Sequence, residues 1–317
     1  MPKHSIYPPM EPFEVERRWD GPLTPEARAL GRAIAQLDHL PSLPEVLIQI
    51  LEVIADESVS MDEVVRRLEL DPGLCSKILK RVNSAFYGFP RRISSLQRAV
   101  VLLGFNTIKQ VALGATVMDL FDHRTTDGFQ PHRIWRHSVF TGTYATLVGA
   151  CMGLSDRDSL FVAGLLHDIG KFLFREVAPE AYAEVLQSTD AERGRSIEVE
   201  RARFGLDHAE AGALLARAWE FPERLVVLIR NHHIPPGAGR VRGDLEVESH
   251  VIYAANLLAH NHLRNSGGGP VDGEDDWRVL QDMLLYWRIT PTELNQMESE
   301  VQRRAEGALE ALDVHGM

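Results

Sequence analysis

The sequence predicts an all-α protein, because apolar residues recur at helical spacing over nearly the whole of its 317 residues. Helix start signals precede many of these segments, and clusters of Gly, Pro or polar residues separate them. No segment alternates convincingly between apolar and polar residues, the pattern that would indicate a half-buried strand. With 44% apolar residues, a chain of this length can bury a sizeable core.

The N-terminal part begins with an irregular arm and continues as a series of helices. Six prolines within the first 25 residues disfavour regular structure there. Ser60 with Glu63 has the pattern of a capping box, and Asp71 followed by Pro72 marks the start of another helix. Helices are predicted over 44–56, 60–70, 71–88 and 94–121, the last of them punctuated at Gly104.

The polar stretch 123–133 separates this part from a second series of helices. In that series helices are predicted over 134–152, 156–174, 179–188, 196–204, 207–219, 222–233 and 246–263. A linker follows at 265–276, and residues 277–313 are helical with a restart at Thr290-Pro291. The breaks divide the chain into an arm (1–36), an N-terminal helical subdomain (37–125), a second helical subdomain (126–264), and a linker with a helical tail (265–317). The tail could cap the second subdomain or form a dimer contact.

Composition excludes several classes of protein. Lys and Arg total 34 against 45 Asp and Glu, and the resulting charge of −11 disfavours overall binding to nucleic acid or to anionic membranes. The two cysteines, Cys75 and Cys151, are far apart and predict neither a disulfide framework nor a cysteine zinc site. The least charged segment, 138–155, is too short and too rich in small polar residues to span a bilayer, so we interpret it as a buried core helix. We expect a cytoplasmic protein.

One segment carries an unusual pair of ionisable residues. The sequence FVAGLLHDIGKFLF, residues 161–174, places His167 and Asp168 side by side in a predicted apolar helix. Burying such groups costs several kcal/mol unless they are neutralised, paired or bound to a metal. Further histidines lie on other predicted helices in apolar company. Imidazole and carboxylate ligands from several helices are typical of an Fe, Mn or Zn site, whereas Ca²⁺ takes only oxygen ligands.

Two motifs carry a resemblance to known families. HDIGK, with His137 before it and the pair His232-His233 after it, resembles the HD superfamily of metal-dependent phosphohydrolases. The upstream phrase DPGLCSKILKRVNSAFYG resembles the HDOD family, the HD-related output domains of bacterial signalling proteins. This similarity runs from about residue 40 to about residue 262 and implies an N-terminal HDOD-type helical subdomain followed by an HD-like metal-binding subdomain.

The resemblance to two-metal relatives of the HD-GYP phosphodiesterase type implies a ligand set. Its members here are His137, His167, Asp168, His208, His232, His233 and Asn256. Three features depart from that pattern: Asn256 replaces the final carboxylate, Arg133 stands one turn before His137 where a glutamate ligand can occur, and NHHIPPGAGR lacks the HHExxDGxGYP signature.

Charge limits how many ions this ligand set can hold. Two divalent ions held by a single carboxylate would leave a residual charge of about +3, so we expect one well-occupied ion and a second only if an anion bridges. In an active enzyme His167 and Asp168 would form the catalytic centre, and Lys171 would steady a phosphate group. Fe or Mn is favoured, with Zn as the alternative.

A basic band lies within the acidic chain. No Asp or Glu occurs between Asp71 and Asp119, an interval that also contains Phe86 and Tyr87. The band could be a face for a nucleotide, a nucleic acid or an acidic partner. We favour the simpler interpretation that these are solvated charges with core aromatics between them. Its chief members are Lys77, Lys80, Arg81, Arg91 and Arg92.

The sequence therefore leads to three hypotheses. The first is a signal-transduction output module of HDOD type that retains an HD-like metal centre and acts through protein or nucleotide recognition. The second is an active phosphohydrolase or phosphodiesterase acting on a nucleotide or cyclic dinucleotide. The third is a metal or redox sensor. No receiver or GGDEF segment is recognisable, so we expect input from a signalling protein partner, with a nucleotide ligand or a homodimer as alternatives.

Overall fold

The computed structural model describes residues 61–69, 75, 78–79, 93–103, 128–188, 196–219, 221–238, 243–265 and 274–311. All the secondary-structure elements within these ranges are α-helices, so the all-α prediction is confirmed. None of the described helices is both long and apolar enough to cross a bilayer. The predicted arm, the predicted helix 44–56 and the five chief residues of the basic band lie outside the described residues.

The described helices follow the predicted order. Their bounds are α1 Met61–Glu69, α2 Leu96–Leu103, α3 Pro131–Cys151, α4 Arg157–Leu166, α5 Ile169–Val177, α6 Pro179–Ser188, α7 Ser196–Phe204, α8 His208–Ala218, α9 Glu223–Asn231, α10 Asp244–Asn265, α11 Glu274–Tyr286 and α12 Pro291–Ala311. Helix α3 packs against α4, α10 and α12, while α8 packs against α5 and α9. Large side chains of α3, including Trp135 and Tyr144, are fully buried in the resulting core.

The single helix predicted over 156–174 is wrong, because the chain forms two helices there. Helix α4 ends at Leu166, His167 is its C-cap and Asp168 is the N-cap of α5. The His167 Nδ1–H donates to the carbonyl oxygen of Gly164 over 2.7 Å. A continuous helix would give that carbonyl to the N–H of Asp168. The apolar periodicity continues across the break, so the sequence pattern did not reveal it.

Glycines allow two pairs of helices to approach closely. A Cβ atom at Gly164 would lie 2.6 Å from the Cα of Gly142, so α3 and α4 touch backbone to backbone. A Cβ at Gly170 would overlap the carbonyl oxygen of His208 and lie 2.7 Å from the backbone nitrogen of Gly212. The contact at Gly142 and the burial of residues 138–145 confirm that this part of the predicted core helix lies in the core. The contacts at Gly170 bring the start of α5 directly against the start of α8.

The tail packs onto α3, a helix of the predicted second subdomain. The predicted restart at Thr290-Pro291 is confirmed, since α12 begins at Pro291 and Glu293 accepts hydrogen bonds from the Thr290 backbone N–H and hydroxyl. Helix α12 lies against α3 and buries Val301 and Ala305 completely. The tail therefore caps this part of the core, which the sequence left open. The division of the chain into four parts stays a prediction.

We expect Val301→Ala to lower the free energy of unfolding by about 2 kcal/mol, because Val301 is 0% exposed and its methyl groups would leave a cavity between α12 and α3. Chemical denaturation of the full chain measures the change. The same substitution at Val247, which is 39% exposed, is the control and should change stability by less than about 0.5 kcal/mol. Equal effects of the two substitutions would contradict the packing of α12.

Candidate metal centre

The structure brings all seven predicted ligand residues into one region. There are two groups of three side chains, and within each group the ligand atoms lie within 4.8 Å of one another. We call His208, His232 and His233 the triple-histidine group, and His137, His167 and Asp168 the His–His–Asp group. The seventh residue, Asn256, contacts His137, with 2.8 Å between its Oδ1 and the His137 Nε2. Which of these atoms bind an ion stays a prediction.

Helix ends supply most of the site. His167 and Asp168 lie at the junction of α4 and α5, His208 is the first residue of α8, and His232 is the C-cap of α9. Side chains at such ends project past the last turn, so short helices can aim several of them at one point. His233 follows directly after that C-cap, and the two remaining contributors come from within longer helices, His137 from α3 and Asn256 from α10.

The carboxylate of Asp168 joins the two groups. Its Oδ1 lies 3.2 Å from the Nε2 of His208 and 3.9 Å from the Nε2 of His232. Its Oδ2 lies 3.5 Å from the Nε2 of His167 and 2.7 Å from the Nζ of Lys171. One oxygen therefore faces the triple-histidine group, and the other faces His167 of the His–His–Asp group.

Hydrogen bonds orient two of the imidazoles toward the centre. The Nδ1–H of His167 donates to the Gly164 carbonyl, and the Nδ1–H of His232 donates to the Ile229 carbonyl, each over 2.7 Å. In the neutral tautomers the Nε2 atoms then carry lone pairs. Both Nε2 atoms are buried and have no hydrogen-bond partner. A bound metal ion would satisfy both atoms, which would otherwise be costly to bury.

The separations between donor atoms also fit a transition-metal ion. Ligand atoms bound about 2.1 Å from one ion lie roughly 3 Å apart when their bonds are at right angles. The Nε2 of His208 lies 2.8 Å from the Nε2 of His233 and 3.2 Å from Asp168 Oδ1. Nitrogen donors with a carboxylate oxygen suit Fe, Mn or Zn. The two groups therefore suggest a divalent metal site, and the identity of the ion stays a prediction.

Burial and neighbouring charges set the protonation of the site. Burial lowers the pKa of His137 to about 3, and burial also holds the pKa values of His232 and His233 well below the ordinary value. Burial alone would raise the pKa of Asp168, but electrostatic interactions with the neighbouring His167 and Lys171 hold it well below its ordinary value. His137, His232 and His233 are therefore neutral and Asp168 is ionised, the forms in which these groups bind metals.

Glu200 is a site residue that the sequence did not reveal. Its side chain on α7 is completely buried, and its Oε2 accepts hydrogen bonds from the backbone N–H of His208 over 2.8 Å and from the His208 Nδ1 over 2.6 Å. Burial would lower the pKa of His208, but the Glu200 carboxylate outweighs burial and raises it to about 9. In the sequence Glu200 looks like its exposed neighbour Glu198, so no local signal marks it.

His260 is a second residue with an unexpected position. Its ring lies against the ring of His137, with 3.9 Å between the ring centroids. The sequence alone gives no reason to regard His260, or equally His123, His132 and His262, as more than ordinary core or surface histidines. The spacing of Asn256 and His260, one helical turn apart on α10, is the only signal that could have placed them together. His262 fits the ordinary interpretation, since its Nδ1 lies 2.8 Å from the hydroxyl of Tyr144.

We expect Glu200→Gln to weaken metal binding by about tenfold or more, because residues that orient a ligand histidine typically contribute 10- to 100-fold to metal affinity. The amide keeps the size of the side chain but loses the charge that holds the Nδ1–H of His208. Competition with a chelator measures the affinity. Glu198→Gln on the same helix is the control, since Glu198 is exposed. An unchanged affinity for Glu200→Gln would show that His208 needs no carboxylate.

A family model matches nearly all of the predicted N-terminal helical subdomain and most of the predicted second one. The model of the HDOD domain family matches residues 40–235. An uncharacterized protein of Treponema pallidum (strain Nichols) is 28% identical over 272 residues, which cover 82% of this chain and 48% of that protein. The YuxH protein of Bacillus subtilis (strain 168), also uncharacterized, is 26% identical over 129 residues, covering 41% of this chain and 31% of its own length. The chain thus spans half or less of these relatives.

Solved structures share the fold. A protein from Marinobacter aquaeolei VT8, provisionally named for signal transduction, has a TM-score of 0.72 at 21% identity, covering 88% of this chain and 60% of that one. An HDOD domain protein of unknown function from Geobacter sulfurreducens has a TM-score of 0.69 at 24% identity, covering 90% and 96%. A protein from Shewanella amazonensis SB2B, provisionally named a phosphohydrolase, has a TM-score of 0.66 at 23% identity, covering 89% and 97%.

Proposed function

We propose that this chain, which belongs to the HDOD domain family, is a bacterial signal-transduction output module that holds a divalent metal centre and acts through recognition of a protein or a nucleotide. The supporting observation is the convergence of imidazoles from separate helices on Asp168, with two buried Nε2 atoms that have no hydrogen-bond partner. Such atoms need a ligand, and a metal ion is the ligand that their chemistry fits.

The proposed centre assigns a role to each group. The triple-histidine group and Asp168 Oδ1 would hold one ion, with Glu200 fixing the orientation of His208. A bound ion would supply Lewis acidity and lower the pKa of a coordinated water molecule. Asp168 bridges the two groups and contributes the only formal negative charge among the seven predicted ligands. Because so little charge offsets the ions, we favour a recognition role over turnover.

A metal-dependent phosphohydrolase is the second candidate. Lys171 favours it, because its side chain is 19% exposed while its Nζ lies 2.7 Å from Asp168 Oδ2. A phosphate group at the surface could therefore meet an ammonium group beside the centre. The substrate would be a nucleotide or cyclic dinucleotide. Lys171 would neutralise its phosphate group, and His167 and Asp168 would form the catalytic centre.

Two measurements on the full chain test these proposals. Metal analysis of the purified protein should find Fe, Mn or Zn. A protein that contains no metal after purification and binds none when Mn²⁺ is added would contradict the metal centre. Phosphodiester hydrolysis is then compared between the native protein and the His167→Ala/Asp168→Ala double variant, with Mn²⁺ or Fe²⁺ added. Activity lost in the variant supports the enzyme. Equal background rates in both proteins support the recognition module.

A further inference from the structure

We propose that Lys171 is an internal cation that competes with a second divalent ion for Asp168 Oδ2. The chain alone then holds one tightly bound ion, in the triple-histidine group. A second ion binds well in the His–His–Asp group only when an anion draws the lysine away. This inference rests on the proposed metal centre and concerns how many ions that centre accepts.

The first support is the position of the ammonium group. The Nζ of Lys171 lies 2.7 Å from Asp168 Oδ2, which is the oxygen that faces His167. Asp168 is 3% exposed, so this ion pair is largely removed from water on the carboxylate side. The other oxygen, Oδ1, faces the triple-histidine group and is separate from this ion pair. Lys171 therefore occupies the side of the carboxylate that a second ion would use.

The second support is a difference in charge between the two groups. When the Nε2 of His208 binds an ion, the carboxylate of Glu200 on the other side of the ring offsets part of the charge of that ion. In the His–His–Asp group the corresponding contact to His137 comes from the neutral amide of Asn256. Asp168 presents one oxygen to each group of histidines, so the group that also faces an ammonium is the weaker cation site. A first ion in the triple-histidine group would weaken it further by repulsion.

The third support is the exposure of Lys171. Its side chain starts in the first turn of α5 and is 19% exposed, so an oxyanion in solution can reach the ammonium. An ammonium has three donors and pairs readily with phosphate oxygens. Once Lys171 pairs with such an anion, Asp168 Oδ2 can bind a cation. Anion binding and second-ion binding then reinforce one another, and the coupling must be reciprocal.

Calorimetric titration of the full chain with Mn²⁺, together with metal analysis, tests this competition. We expect the native protein to bind one ion tightly and a second at least tenfold more weakly. Lys171→Met removes the charge and keeps the length of the side chain, and it should tighten the second ion at least tenfold. Inorganic phosphate, compared with chloride at equal ionic strength, should tighten the second ion in the native protein but not in Lys171→Met.

Control variants separate the position of the charge from its mere presence. Arg133→Met removes a positive charge one turn before His137, but Arg133 is exposed, so this variant should behave like the native protein. Lys171→Arg keeps the charge and should also keep one tight ion. The native titration with phosphate needs no variant at all, so the test holds even where a substitution impairs folding.

The outcomes distinguish this inference from the proposed function. Two equally tight ions in the native protein without phosphate would overturn the competition, as would an unchanged second ion both in Lys171→Met and with phosphate. In either case the metal centre itself would stand. A native protein that binds no ion under any of these conditions would instead overturn the metal centre and, with it, the inference.

Discussion

Replacement of Asp168 by Asn is expected to abolish metal binding by both groups. Each carboxylate oxygen faces a different set of imidazoles, so one substitution removes the charge from both sets at once. Neutral imidazoles and amides cannot offset the charge of a divalent ion. We expect the affinity for the metal ion to fall by more than about 100-fold. Residues that only orient a ligand contribute up to about 100-fold, and the loss of a ligand itself should exceed that.

The loss should appear in two measurements. Metal analysis should find almost no ion in Asp168→Asn, and a chelator should lower the melting temperature of the native protein but not that of the variant, because a ligand bound only to the folded state stabilises it. Asp282→Asn on α11 is the matched control, since Asp282 is exposed. If Asp168→Asn retained a native metal content, the bridging role of this carboxylate would be refuted.

Replacement of Gly170 by Ala is expected to disrupt the contact that places Asp168 beside His208. The added methyl group would overlap the carbonyl oxygen of His208 and crowd the backbone of Gly212. Both are backbone atoms, so α5 and α8 must separate to make room. We expect a loss of about 3 kcal/mol in the free energy of unfolding, the upper end for an overpacked core. Metal affinity should fall as well.

A second helical glycine provides the control for this substitution. A Cβ at Gly149 in α3 would lie 2.5 Å from Cδ1 of Leu160, the flexible end of a side chain rather than backbone. Gly149→Ala should therefore be tolerated, with a change in stability of less than about 1 kcal/mol and native metal content. Denaturation curves and metal analysis of both variants decide the matter. Similar losses from both would mean that the approach of α5 to α8 is not special.

The helix pattern was readable from the sequence because it depends on local periodicity and capping. The predicted segments at 179–188, 196–204 and 222–233 differ from α6, α7 and α9 by at most two residues at either end. The error at 156–174 arose because a side chain, His167, took a backbone acceptor that helix periodicity cannot show. The basic band lies largely outside the described residues, so its role stays a prediction.

The candidate ligands could be named from the sequence because their residue types and order match a known motif. Their convergence depends on contacts between elements far apart in the chain, such as Gly170 against His208. Glu200 could not be predicted, since a glutamate in a charged helix is usually exposed. The pairing of Lys171 with Asp168 was equally hidden, because the sequence marked the lysine only as a group for an anion.

The sequence by itself determined the all-α class, the positions of most helices between residues 131 and 265, and the residue types available to a metal. These properties follow from local spacing and side-chain chemistry. Only the tertiary structure decided that α12 packs against α3, that Glu200 accepts a hydrogen bond from His208 and that Lys171 forms an ion pair with one oxygen of Asp168. Burial and charge pairing are properties of neighbours in space, and the chain brings those neighbours together only when its helices pack.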